Sequence, residues 1–375
     1  TKTDIHAERL LAAGAVPIAK TTTPEFCTLG STHSKLHGVT RNPWNLEMTP
    51  GGSSGGTGAS LAAGVGILGT GSDIGGSIRI PAACSGIVGY KPPHGRVPTI
   101  DSSTYDHYCH LGPMTRSVAD IIAMMAVMGG PHHQDQHGYP LNFSYNKLLE
   151  NVAGNLKGVK IAYSLDLGYF QLSEDVKRET LAMLARCRDL GATTTEVAMD
   201  FFPPEMMFYS WGRVLLLGGA PLLDLLATRR QDLCDYTIEQ VELLKGLGPH
   251  DIVRAHEIAM TMAAGFGDMM QSHDIFICPT NAIAAARADS YPRRVPEMVD
   301  GRERMGLETD WCMTIPFNML YSCPVLAVPS GFADDGVPCG VQLVGKFFDE
   351  QTVLKIGLAL EAAGGWPTDK SWPTL

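Results

Sequence analysis

The stretch TPGGSSGGTGASLAAGVGILGTGSDIGGSIRIP, residues 49 to 81, decides how the whole chain is read. It holds two clusters of small residues. Gly51-Gly52-Ser53-Ser54-Gly55-Gly56 precedes Ser60-Leu61-Ala62-Ala63, which reads as a small-residue helix. Gly71-Ser72-Asp73-Ile74-Gly75-Gly76-Ser77-Ile78-Arg79 follows Ile67-Leu68-Gly69-Thr70, a strand candidate expected to be buried. Adjacent glycines let the backbone approach a ligand closely and aim successive N–H groups at one point. A serine directly after two glycines, as Ser77 is, then stands where those donors could bind a developing oxyanion. One isolated Gly-Gly-Ser reads as a flexible turn. Two clusters this close, one carrying Asp73 and Arg79, read as a site.

Outward from there, the pattern alternates strand and helix. Asp4 to Ala13 has helical spacing of Ile5, Leu10 and Leu11, ending at Gly14, and Val16 to Ala19 reads as a short strand. Ile87 to Tyr90 is another strand candidate, and Ser117 to Met128 an apolar helix closed by Gly129-Gly130. Val159 to Tyr163, the helix from Glu174 to Leu190, and Thr193 to Val197 form a β-α-β pattern. Residues 206 to 271 are rich in Met and Leu and mostly helical. Ile275 to Ile277, Val325 to Val328 and Gly340 to Val344 read as buried strands, and Glu350 to Ala363 as a final helix. Strands mixed with helices throughout predict one large α/β domain over 1–375, a mixed twisted sheet covered by helices on both faces.

Composition narrows the class. The chain has 375 residues, 45% hydrophobic and 18% charged, with a formal net charge of -10 and no Lys/Arg-rich run. A phosphate-tracking surface has little support, so no nucleic acid is expected. The nine cysteines are odd in number, widely spaced and without a C-x-x-C pair, which argues for reduced thiols in a cytoplasmic protein rather than a disulfide framework. The longest apolar stretch, Val214 to Ala227, contains Pro221 and Asp224 and is too short to span a bilayer, so no membrane is expected.

At this point the sequence resembles the amidase signature family. The likeness is carried by Thr49 to Gly56, Gly71 to Pro81, Cys84-Ser-Gly-Ile-Val-Gly-Tyr-Lys-Pro92, Gly112-Pro-Met-Thr-Arg-Ser-Val118, Ile315-Pro-Phe-Asn318, Gly340 to Gly345 and Phe348-Asp349-Glu350. These motifs run in family order along nearly the whole chain, with the core signature over 40–98. The resemblance implies the family's fold and a Ser–cis-Ser–Lys triad, which solves the acyl-transfer problem met elsewhere by Ser-His-Asp. Ser77 corresponds to the nucleophile and Ser53 to the bridging serine, with a cis peptide bond between Gly52 and Ser53. Ile74, Gly75 and Gly76, with Ser77 itself, correspond to the oxyanion-hole backbone. Ser54, Asp73 and Arg79 correspond to supports that hold the loop. Ser72 and Cys27 fall at positions that face the substrate, and the region of about 200–272 corresponds to the substrate channel. The family's lysine lies about 70 residues before the bridging serine. Counting back from Ser53 puts it ahead of Thr1, so further N-terminal residues are expected; Lys20 matches a structural position and takes no such role.

The implied reaction is cleavage of an amide C–N bond in a small apolar or aromatic substrate through an acyl-enzyme on Ser77. Carbamates and esters share the same attack and oxyanion. No cofactor and no metal are expected, and a homo-oligomer is left open. Other readings fit less well. Gly52-x-Ser54-x-Gly56 matches a nucleophile elbow, but Trp44 to Pro50 is a poor strand to precede one. Gly64-x-Gly66-x-x-Gly69 matches the dinucleotide fingerprint but follows a helix rather than a strand. His132, His133, Asp135 and His137 read as a polar loop rather than a metal cluster, and His107 and His110 as a surface loop or the rim of a substrate mouth. The main functional alternative is the catalytic subunit of a tRNA-dependent amidotransferase. A catalytically dead binding protein is disfavoured by intact Ser53, Ser54 and Ser77.

Overall fold

A computed structural model of the chain describes residues 3–100, 106–289, 297–299, 302–304, 311–364, 366 and 372–373. Two short hairpins stand apart from the main sheet, β1 (His33–Ser34) with β2 (Gly38–Val39), and β9 (Glu297–Val299) with β10 (Arg302–Arg304). The main sheet has eight strands. They are β3 (Leu68–Asp73), β4 (Val88–Lys91), β5 (His110–Thr115), β6 (Lys160–Tyr163), β7 (Thr193–Glu196), β8 (Ile275–Pro279), β11 (Val325–Phe332) and β12 (Pro338–Val344). Their order is β3-β5-β4-β11-β12-β8-β6-β7. Neighbours pair antiparallel except β6 with β7 and β6 with β8, so the sheet is mixed. The parallel pair β6–β7 is joined by α5 (Glu174–Asp189), as the β-α-β pattern predicts.

The alternation of side chains shows why both faces need cover. Along β8, Ile275 and Ile277 belong to one apolar cluster, and Phe276 and Cys278 to the other. The first cluster is sealed by α4 (Val118–Met128), α5 and α11 (Glu350–Ala362), through Ile121, Met183, Leu184, Val353 and Leu354. The second is covered by α6 (Met206–Gly218) and α9 (Pro249–Met270), through Met206, Ile258, Met262 and Phe266. Between α6 and α9 run α7 (Ala220–Arg229) and α8 (Asp235–Leu244). A strand with apolar side chains on both faces reads as a continuous hydrophobic run, and β8 does. The remaining helices are α1 (Ile5–Ala12), α2 (Gly55–Ala62), α3 (Arg79–Ser85) and the single turn α10 (Pro316–Met319).

Two expectations need correction. Residues 16–19 form no strand; Val16 and Ile18 are exposed and the segment is irregular. The strand at 67–70 exists as β3 but is not buried. It is the sheet's edge, paired with β5 alone, and Ile67 and Leu68 are 73% and 46% exposed. An apolar run does not tell an edge strand from a central one, because the number of pairing partners is set by topology.

Candidate active site

The two serine clusters of the sequence meet at one place. Ser54 immediately precedes α2, and its N–H donates to the Ser77 carbonyl at 3.2 Å. Ser53, just before it, is 1% exposed, Ser77 is 8% exposed, and the Gly52–Ser53 peptide bond is cis. Ser77 lies on the short connection between β3 and α3.

That connection is clamped by one buried network. The Asp73 carboxylate, at the end of β3, accepts from Gly76 N–H at 2.9 Å and Ile78 N–H at 3.2 Å. It also accepts from Arg79 Nε at 2.9 Å, Arg79 Nη2 at 2.8 Å and Asn318 Nδ2 at 2.8 Å. Arg79 uses its remaining donors on the Thr314 carbonyl, Gln342 Oε1 and Asn318 Oδ1 at 2.6–2.9 Å. Both side chains of the ion pair are fully buried. Burial alone would push the Asp73 carboxyl up. The Arg79 charge, with hydrogen bonds from Arg79 and Asn318, outweighs it and holds the carboxyl well below the usual carboxylate range. Isolated charges here would be very costly; satisfied on all sides, they lock the loop.

The clamp decides which amides remain for a substrate. Of the residues expected to form the oxyanion hole, Gly76 gives its N–H to the Asp73 carboxylate. Among the described residues nothing accepts the N–H of Ile74, Gly75 or Ser77. Gly76 has instead a shaping role. Its φ is +124°, and a Cβ there would lie 2.0 Å from Thr314 Oγ1, whose hydroxyl donates to the Gly75 carbonyl at 2.6 Å. Gly76→Ala is therefore expected to cost at least about 1–3 kcal/mol of stability. Thr314→Ala in the same chain should recover only a small part of that, because it removes the Oγ1 contact while the position-314 Cβ at 2.5 Å and Ile80 Cδ1 at 2.8 Å still collide and the backbone strain stays. Chemical denaturation of the three variants checks this.

Around the loop, Trp211 of α6 and Ile315 come within 3.6–3.8 Å of where a Gly75 Cβ would stand. The helix is anchored here by a buried ion pair, Arg213 to Asp106, with the guanidinium 4.1 Å from the Tyr108 ring centroid. The Tyr108 carbonyl in turn accepts from Asn318 Nδ2 at 3.0 Å, linking this segment back to the clamp. Ser72 is partly buried in β3, opposite Leu111. Cys27 is exposed, on a turn where Glu25 N–H donates to the Tyr236 hydroxyl.

Lys91 is the one buried lysine among the described residues. Burial, reinforced by the Arg79 charge, pulls its pKa down to about 7. Its Nζ donates to the Cys323 carbonyl at 2.8 Å and faces His110 Nε2 at 3.3 Å. Lys20 and Lys35 are exposed. Sequence reasoning assigned no role to Thr314, Asn318 or Gln342, although Asn318 closes one of the matched motifs. Gln342 carried a signal of its own, a polar side chain inside an apolar strand, which must be hydrogen-bonded when buried.

With the geometry in place, the chain can be set beside known proteins. The sequence profile of the amidase family matches residues 2–354. An acylamidase of Rhodococcus erythropolis is 34% identical over 378 residues, covering 99% of this chain and 77% of that protein. One subunit of the glutamyl-tRNA(Gln) amidotransferase of Bacillus velezensis is 32% identical, covering 95% of this chain and 76% of that protein. The crystal structure of a bacterial aryl acylamidase of the amidase signature family superposes with a TM-score of 0.87 at 26% identity, over 97% of this chain and 76% of that one. The fold and the serine-bearing loops thus define an amide hydrolase. The chain belongs to the amidase signature family.

Proposed function

We propose that the protein hydrolyses amides of small apolar or aromatic compounds through an acyl-enzyme on Ser77. The observation that carries the reading is the hydrogen bond from Ser54, the neighbour of Ser53, to Ser77 beside three amides without an acceptor among the described residues, on a loop fixed by Asp73 and Arg79. In this mechanism Ser53 takes the Ser77 proton on its way to a lysine base of the kind the family resemblance implies. The Ser77 oxygen attacks the scissile carbonyl, and the N–H groups of Ile74, Gly75 and Ser77 receive the oxyanion. Donors of this kind are each worth on the order of 10²–10³ in rate. Ser53 then returns the proton to the leaving nitrogen, since an amide anion is too basic to depart unprotonated. Water attacks the acyl-enzyme by the same route and frees Ser77.

Trp211 and Ile315, with Ile74 on the loop itself, give it an apolar border, which favours a hydrophobic acyl or leaving group, and the helical region of about 200–272 is proposed to form the substrate channel. Ser72 and Cys27 are proposed as further substrate contacts. The acylamidase relative supports a free-standing hydrolase, whereas the amidotransferase relative supports a glutamine-using member of a complex. Hydrolysis measured across anilides, aliphatic amides, aryl carbamates, aryl esters and glutamine separates the two. The expected result is turnover of anilides and aryl esters, carbamate cleavage by the same route, and none of glutamine. Glutaminase activity with inert anilides would favour the amidotransferase reading.

A further inference from the structure

Outside the serine site, three histidines far apart in the sequence converge. His94 follows β4, His107 precedes β5, and His137 lies in the loop after α4. One ring nitrogen from each lies within 4.8 Å of the other two. The approach is built into the backbone at Gly95, where φ is +79° and a Cβ would lie 2.2 Å from the His137 carbonyl oxygen. Only glycine lets the two loops close this far.

The protonation pattern suits a cation. His94 Nδ1 is 3.1 Å from the Cys109 carbonyl, which can only accept, so Nδ1 carries the proton and Nε2 presents a bare lone pair. That Nε2 is buried and has no hydrogen-bond donor among the described residues. A backbone carbonyl fixing one imidazole nitrogen while the other faces inward is how metal-binding histidines are oriented. Asp135 Oδ1 lies 3.6 Å from His137 Nδ1, and this carboxylate is held by Thr99 N–H at 3.0 Å and His137 N–H at 2.9 Å. A pocket lined by His94, Thr99, Cys109, His110 and Asp135 opens beside them.

We propose that His94, His107 and His137 form a binding site for a divalent transition metal of the zinc type, completed by a water molecule, which staples the connection between β4 and β5 to the loop after α4. Tetrahedral geometry with bonds of about 2.0–2.1 Å sets ligand nitrogens about 3.4 Å apart, so the trio has only to contract around the ion. The site draws His137 out of the 132–137 cluster and His107 out of the loop before β5, and it is separate from the serine chemistry. The site nevertheless borders the clamp: the His94 and His110 ring centroids are 5.9 Å apart, and His110 Nδ1 is 3.1 Å from the Asp73 carbonyl.

The test is titration of the chelator-stripped protein with Zn²⁺ against a chromophoric competitor, together with the absorption spectrum of the Co²⁺ form. The expected result is one tight equivalent per chain, a raised melting midpoint, and tetrahedral Co²⁺ bands without thiolate charge transfer. His137→Gln and, separately, His107→Gln should each weaken binding at least about 100-fold, since loss of an outer-shell partner alone costs 10–100-fold. The melting midpoint of the stripped variants verifies that they fold. His132→Gln should bind as the unaltered protein does. No tight equivalent, undiminished binding in both the His107 and His137 variants, or a sulfur charge-transfer band would overturn the proposal.

Discussion

Replacing Ser77 by alanine is expected to lower kcat for an anilide by on the order of 10⁶, while the melting midpoint stays close to that of the unaltered protein. The magnitude follows from serine hydrolases in which removal of the nucleophile costs about as much as removal of the whole triad. Ser53→Ala should cost less, on the order of 10³–10⁴, and its cost should depend on the leaving group. An anilide needs a proton delivered to nitrogen, whereas an activated aryl ester leaves without one. If Ser53 relays that proton, the variant should lose far more activity on the anilide than on the ester. A uniform loss on both substrates would reduce Ser53 to a structural role. Steady-state kinetics on a matched anilide and ester pair, with circular dichroism of each variant, decides it.

The second large effect is expected at the clamp. Arg79→Ala leaves the Asp73 carboxylate buried without its cation, and breaking such a pair typically costs about 3–5 kcal/mol. Arg79→Lys keeps the charge but cannot reproduce the fork that reaches Asp73, Asn318, Gln342 and Thr314 together, so it too should destabilise. Activity should fall with alignment, because the loop that carries the amides of Ile74, Gly75 and Ser77 is clamped by this network. The sign of the pH dependence follows from Asp73, whose carboxyl is depressed in the folded protein. Its contribution is fully present above the ordinary unfolded value of about 3.9 and is lost as pH falls through the lower folded value. Denaturant melts of the unaltered protein and Asp73→Asn should therefore differ by a constant amount near neutrality and begin to approach each other only as pH falls below about 4. A difference that stays constant below that pH as well would mean that the charge of Asp73 contributes nothing.

What the sequence revealed, and what it withheld, divides along physical lines. The β6-α5-β7 unit was legible because its signals are local: apolar periodicity and Gly191 just after the helix. The two serine clusters were legible because glycine-rich loops with fixed polar neighbours are rare outside sites. The clamp was only half legible. Asp73 and Arg79 stand six residues apart, but Thr314, Asn318 and Gln342 join them from positions 235 to 263 residues along the chain. Nothing in a local pattern reports such distances. The allocation of the Gly76 amide to Asp73 was likewise out of reach, since it depends on the rotamer of a side chain three residues earlier. The exposure of Ile67 and Leu68 depends on which strand ends the sheet, a property of topology rather than composition. His94 drew no notice at all, because its partners His107 and His137 come together only when Gly95 brings the loops into contact.

The central claim, that Ser77 carries the acyl group, is tested most directly by covalent labelling. The protein would be treated with a fluorophosphonate, which phosphonylates an activated serine in a hydrolase site, and the adduct located by peptide mass spectrometry. The account predicts a single adduct on Ser77, formed in step with loss of activity and absent from Ser77→Ala. An adduct on Ser54, or inactivation of the enzyme with Ser77 unmodified, would contradict it.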